Sequence, residues 1–275
     1  MSLSKGRTYP NQFPSQFDGG AWQKPPVKTI YTLRIDNYAP EICELTYPMI
    51  QAYARKIGAR LHTITERKFP GWPPVYEKLQ IYELAQAHAN DWNIYIDSDT
   101  LIHPDMIDVT EFLGKDTVCH NGKDLANVRW KYDRFFRRDH RNIGSCNWFT
   151  VASDWCIELW KPLDDLTLEE AVAQIQVTVG EAAGFEWVTE PGPAPNILKM
   201  TDQRRELVVH EPSHLIDDFT LSRNIAKYGL RFTTINEICA SLGMGGSGHL
   251  FHNYTLPAAQ KVEEMRKIMK AWRLG

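Results

Sequence analysis

Short apolar, β-branched runs alternate along this chain with stretches whose apolar residues recur at helical spacing. Val27 to Leu33 is the first such run and predicts a strand. Glu41 to Ile57 places Met49, Ile50, Tyr53, Ala54 and Ile57 on one helical face, with Gly58 as the stop. Arg60 to Thr65 alternates as a second strand. A loop rich in proline (Pro70, Pro73, Pro74) leads into Tyr76 to Ala89, helical by Leu79, Tyr82, Ala85 and Ala89. Residues 92 to 97 form a third apolar run. The order is β-α-β-α-β, with connections suited to right-handed crossovers between parallel strands.

The remainder reads less regularly. Pro104 to Leu113 predicts a short helix and Thr117 to His120 a short strand. Asn142-Ile143-Gly144 opens an apolar stretch to Ala152, read as a strand. Asp154 to Trp160 and Thr167 to Val179 predict helices, and Val188 to Asn196, with its prolines, a loop. Glu206 to His210 is a short strand. Asp217 to Tyr228 is helical, stopped by Gly229, and Leu230 to Ile235 returns as a strand. The glycines of Leu242 to Gly248 precede His249-Leu250-Phe251-His252. A helix from Ala258 to Trp272 closes the chain. The polar, proline-bearing residues 1–26 read as an arm, and 27–275 as one α/β domain with a mixed, mainly parallel sheet flanked by helices.

Composition narrows the function classes. Apolar residues make up 43% and charged residues 24% of the 275, and the net charge is -3, so no overall pull toward nucleic acid or membrane is indicated. Residues 129–141 interleave rings and cations, a pattern that single-stranded nucleic acid can use. Against a mildly acidic chain they read instead as a solvated helix or loop, or a loop touching substrate. No nucleic-acid partner is expected. The five cysteines form no CxxC pair, which points to buried thiols in a reducing, cytoplasmic setting. No secretory signal and no transmembrane helix is expected.

The candidate chemistry lies where the third strand ends. Asp97-Ser98-Asp99 puts two carboxylates one residue apart at a strand terminus, where open α/β sheets bind ligands. Two acids in a partly dry turn repel each other, and a hard divalent cation, Mn²⁺ or Mg²⁺, relieves that repulsion. A helix-capping turn is the purely structural alternative. Asp217 and Asp218 open a helix, where they suit its dipole or could serve an acceptor hydroxyl, Asp218 as a general base. A late histidine, His252 or His249, is the candidate third ligand.

The segment Ile94-Tyr95-Ile96-Asp97-Ser98-Asp99-Thr100-Leu101-Ile102 resembles the DxD segment of nucleotide-sugar-dependent glycosyltransferases of the GT-A fold, a Rossmann-like α/β architecture. Tyr31-Thr32-Leu33 followed by Asp36-Asn37-Tyr38 is similar to the first strand and loop of the glycogenin and lipopolysaccharide galactosyltransferase group. The resemblance implies that Thr32, Leu33, Asn37 and Tyr38 hold a uracil, with the tyrosine ring stacked on it. It implies that Lys78 faces the donor phosphates, that Ser98 lies at the donor, and that Asn142 and Gly144 line the sugar pocket. Asp217 and Asp218 become acceptor-side acids, and His252 completes a metal shell with Asp97 and Asp99. After His252 the chain departs from the group's pattern, and Lys261 stands where a phosphate-contacting lysine could substitute.

The expected activity is therefore metal-dependent transfer of a hexose from a nucleotide-sugar, UDP-sugar foremost, to a saccharide or other hydroxyl acceptor. Two other readings use the same residues. In a haloacid-dehalogenase-type phosphatase or phosphotransferase Asp97 would be a nucleophile, with Mg²⁺. In a non-catalytic nucleotide-sugar-binding module the acids would only cap.

Overall fold

The computed structural model describes residues 25–121, 148–180, 185–189, 196–202, 205–209, 212–244, 249–252 and 257–273. The six-stranded central sheet comprises β1 (Lys28–Leu33), β2 (Arg60–Ile64), β3 (Trp92–Ile96), β5 (Thr117–His120), β6 (Phe149–Ser153) and β10 (Arg231–Thr234). Its order is β10-β5-β6-β3-β1-β2, and β6 alone runs antiparallel to its neighbours β3 and β5. The expected mixed, mainly parallel α/β sheet is observed. β2 lies on one side of β1 and β3 on the other, so the chain reverses its winding between β1 and β3. The crevice at the carboxyl ends of those two strands is the natural ligand position.

Alternation along the strands builds a core on each face. Tyr31, Tyr95, Val118 and Ala152 pack on one side with α2 (Ile81–His88), α3 (Leu168–Gly180) and α4 (Ile216–Lys227). Ile30, Ile94, Val151 and Cys119 pack on the other with α1 (Pro40–Lys56) and α5 (Ile235–Ser241). A third cluster joins Ile42 of α1 and Leu101 to Val262 and Met265 of α6 (Ala258–Ala271). Leu101 belongs to β4 (Leu101–Ile102), which pairs antiparallel with β11 (Leu250–Phe251), Phe251 opposite Leu101. Cys43, Cys119, Cys156 and Cys239 are buried free thiols. No helix among the described residues is long and apolar enough to cross a membrane.

Several elements differ from their expected form. The helix expected over 76–89 is a 3-10 turn, Pro74–Gln80, followed by α2. Tyr76, Glu77, Lys78 and Leu79 are buried in succession, which a one-faced α-helix cannot achieve. Pro104 to Leu113 contains only a 3-10 turn, Val109–Phe112, and Asp154–Trp160 is 3-10 with a kink at Cys156. The loop expected over 188–196 gives way at its two ends to β7 (Phe185–Thr189) and β8 (Asn196–Asp202), which with β9 (Arg205–Val209) make a separate antiparallel sheet; residues 190–195 lie outside the described residues. The strand ending at Ile235 stops at Thr234, whose hydroxyl accepts from the Glu237 amide while the Glu237 carboxylate accepts from the Thr234 amide. That reciprocal cap starts α5 instead. Most of the N-terminal arm (1–24), the basic aromatic segment 129–141, and Asn142 and Gly144 lie outside the described residues.

Candidate active site

The turn after β3 is built by local bonds. The Thr100 amide donates to the Asp97 carbonyl at 3.1 Å, the Asp97 amide donates to the Trp148 carbonyl at 2.9 Å, and the Thr46 hydroxyl of α1 donates to the Ser98 carbonyl. These fix the two aspartates so that each faces a different helical layer.

Asp97 turns toward the side of α2 and α4. Its Oδ1 accepts from the Tyr95 hydroxyl and lies 3.8 Å from Lys78 Nζ. Lys78 is 1% exposed; its ammonium lies 4.6 Å from the Tyr95 ring centroid and donates to Asp217 Oδ2 at 2.5 Å. A chain of charges thus runs from Asp97 through Lys78 to Asp217 at the start of α4. Asp217 and Asp218 are both buried.

Asp99 turns toward α1 and α6. Its Oδ2 accepts from Lys261 Nζ at 2.5 Å and from the Tyr38 hydroxyl at 3.0 Å, and its Oδ1 lies 3.2 Å from His252 Nε2. His252 Nε2 is also 3.7 Å from Asp97 Oδ2. One ligand atom from each of Asp97, Asp99 and His252 falls within 4.8 Å of the others, the one such group among the described residues. Two carboxylates and an imidazole form a donor set that suits Mn²⁺ and, through its oxygens, Mg²⁺. The His252 ring is oriented by stacking on Trp148, centroids 5.1 Å apart and planes 9° off parallel. Among the described residues its buried Nδ1 has no hydrogen-bond partner, so stacking holds the ring where an outer hydrogen bond would otherwise do so.

The β4–β11 register explains which late histidine arrives. With Phe251 opposite Leu101, the next residue, His252, meets the turn before β4. His249 instead packs its ring against His103, 5.3 Å away, and its carbonyl accepts from the His103 amide at 2.7 Å.

The loop after β1 reaches the same place. Asp36, Asn37 and Ala39 hold φ of 55°, 53° and 36°. Asp and Asn tolerate this left-handed region, whereas an alanine there is strained. The loop leaves Tyr38 51% exposed with its hydroxyl on Asp99. Leu33 is partly buried, while Thr32 and Ser98 are buried, the Thr32 hydroxyl without a hydrogen-bond partner among the described residues.

Sequence reasoning missed Glu77. This fully buried carboxylate accepts from Arg67 Nε at 2.9 Å, the Lys68 and Phe69 amides at 2.9 Å, and Gln80 Nε2 at 2.8 Å. Arg67 also reaches Asp36 at 3.1 Å, so Glu77 ties the loops after β1 and β2 to the turn carrying Lys78. Its position beside a candidate lysine, among residues patterned as core, was the available signal.

The two aspartates differ electrostatically. Burial pushes the Asp97 carboxyl up; Lys78 opposes this, Asp99 adds to it, and the net shift is upward. Ionised Asp97 therefore costs stability, a penalty absent below the unfolded carboxylate range, near pH 3.9, and grown to its full size once the pH passes the raised folded value. Asp97→Asn keeps an acceptor for Tyr95 and is expected to raise the melting temperature at pH 7. Thermal denaturation followed by circular dichroism in chelator checks this, and a lowered melting temperature contradicts it.

No family model matches this chain, and neither does any curated protein. Among solved structures it is similar to a glycosyltransferase involved in glycosylation of the major capsid of PBCV-1, at 11% identity and a TM-score of 0.42, over 88% of this chain and 100% of that one. It is also similar to the galactosyltransferase LgtC in complex with donor and acceptor sugar analogues, at 12% identity and a TM-score of 0.42, over 88% and 95%. An active-site mutant of LgtC aligns at 11% identity and a TM-score of 0.43, over 90% and 99%.

Proposed function

We propose that this chain is a divalent-metal-dependent glycosyltransferase of the GT-A type, transferring a hexose from a nucleotide-sugar, preferentially a UDP-sugar, to an acceptor hydroxyl. The observation that carries this reading is the convergence of Asp97, Asp99 and His252, with Lys78 and Lys261 against the same carboxylates, at the carboxyl ends of β1 and β3. A diphosphate leaving group gathers negative charge as the glycosidic bond breaks, and fixed cations aimed at it lower the barrier. Mn²⁺ or Mg²⁺ on Asp97, Asp99 and His252 would supply Lewis acidity to the phosphate oxygens. Lys78 and Lys261 add two ammonium groups beside the same carboxylates.

Tyr38, half exposed on its left-handed loop, offers a ring face to a base, with Asn37 beside it and Thr32 and Leu33 in the strand beneath. Ser98 would meet the donor from the turn. Asn142 and Gly144 are assigned to the sugar pocket on the resemblance of their segment. Asp217 is bonded to Lys78 in a buried pair, and Asp218 is buried beside it. That favours a positioning role for Asp217, holding Lys78 toward Asp97, over proton abstraction from the acceptor. The buried free thiols fit a reducing, cytoplasmic location.

The phosphotransfer reading fits less well. It needs Asp97 as a free nucleophile, yet Asp97 Oδ1 accepts from Tyr95 and the motif closes the third strand rather than the first. Incubation with a panel of UDP- and GDP-hexoses, with p-nitrophenyl phosphate alongside, tests the proposal. Slow hydrolysis of one or more nucleotide-sugars is expected, supported by MnCl₂ or MgCl₂ and stopped by EDTA. Turnover of p-nitrophenyl phosphate alone would overturn it.

A further inference from the structure

We propose that Lys261 is a charge gate on Asp99 that makes divalent-cation binding conditional on a diphosphate. The inference rests on the reading of Asp97, Asp99 and His252 as the cation's seat. Asp99 divides its two oxygens: Oδ1 faces His252 Nε2 at 3.2 Å, and Oδ2 takes the Lys261 ammonium at 2.5 Å. A cation seated with His252 and the ammonium of Lys261 therefore share one carboxylate. The Lys261 side chain is only 4% exposed and that of Asp99 9%, so little water screens the two positive charges from each other.

Lys261 is poorly supported except by Asp99. It lies in the first turn of α6, its amide bonded to the Pro257 carbonyl at 2.9 Å. The helix dipole disfavours a cation there. Among the described residues Asp99 is the acid it pairs with. A divalent cation drawing on Asp99 weakens that pairing and leaves a buried ammonium with less compensation. A diphosphate reverses the balance, because its oxygens give Lys261 a second anion beside the cation. Cation and diphosphate then bind far more tightly together than separately, and part of that coupling belongs to Lys261.

Electron paramagnetic resonance of free Mn²⁺ measures the affinity directly, without and with saturating UDP. In the wild type, Mn²⁺ alone is expected to bind weakly and UDP to tighten it strongly. Lys261→Met keeps the length of the stem and removes the charge. It is expected to tighten Mn²⁺ binding in the absence of UDP by about tenfold or more, and to shrink the UDP-dependent gain by a similar factor. Lys261→Arg keeps the charge and is expected to bind Mn²⁺ alone no more tightly than wild type. This arm serves if Lys261→Met does not fold, and tightening there overturns the gate. Unchanged Mn²⁺ affinity and coupling in Lys261→Met overturn the gate while leaving the metal site standing. Failure of the wild type to bind Mn²⁺ even with UDP overturns both.

Discussion

Asp99→Asn is expected to abolish Mn²⁺-dependent UDP binding and to lower the melting temperature as well. Asparagine preserves the shape of the side chain and can still accept from Tyr38, so the turn after β3 keeps its backbone bonds. What disappears is the charge that faces His252 and pairs with Lys261. Burial raises the Asp99 carboxyl, but His252 and Lys261 more than offset it and hold the group well below the usual carboxylate range. A carboxyl depressed in the folded state contributes stability above its unfolded value, near pH 3.9, and loses it as the pH falls toward the folded value. The deficit of Asp99→Asn is therefore full at pH 7 and narrows in acid. Breaking one side of a buried ion pair costs about 3–5 kcal/mol, since Lys261 stays behind uncompensated. Asp97→Asn, two residues away, shifts stability in the opposite direction while also losing a proposed ligand. Calorimetric titration of UDP with MnCl₂, with melts at pH 7 and pH 4, reads all of this. Unchanged UDP affinity in Asp99→Asn would sink the assignment.

Glu77→Ala is expected to cost about 3–5 kcal/mol, because a buried charged group would leave its partners behind. Two amides, those of Lys68 and Phe69, lose their acceptor, and the Arg67 guanidinium loses the better placed of its two carboxylates. Each orphaned donor adds a desolvation penalty of about 1–3 kcal/mol unless water reaches it. The damage extends to function, since Arg67 spans to Asp36 and Lys78 follows Glu77 in the same turn. Urea denaturation gives the stability, and Glu77→Gln separates charge from shape by keeping an acceptor for one amide. A loss under 1 kcal/mol for the alanine variant would show that the loops hold without this carboxylate.

The strands around the switch point were legible because their apolar runs end abruptly. Residues 92 to 96 pass from five buried positions straight into Asp97, and that contrast marks both a strand end and a site. α1, α3, α4 and α6 were legible from periodicity, with ends displaced by a residue or so. The 3-10 turn carrying Lys78 was not, because Leu79 stands at helical spacing from Tyr82 and Ala85 of α2, which masks the consecutive burial before it. α5 was missed although Thr234 and Glu237 have the spacing of a reciprocal cap, because the apolar run before them suggested a continuing strand. β4 and β11 have two residues each, too few for any period to register, and only their pairing separates His252 from His249. The pairing of Lys78 with Asp217 spans 139 residues, and no local pattern encodes a contact of that range.

The two-residue ribbon of β4 and β11 also sets when the site can exist during synthesis. Asp97 and Asp99 emerge with the first third of the chain, but Lys261 pairs with Asp99 across a separation of 162 residues. Contacts of such high order form late, after intervening elements have closed the distance. A nascent chain that has not yet delivered β11 and α6 carries two adjacent carboxylates without His252 or Lys261. The four side chains that meet at this turn therefore come together only once the final helix has docked.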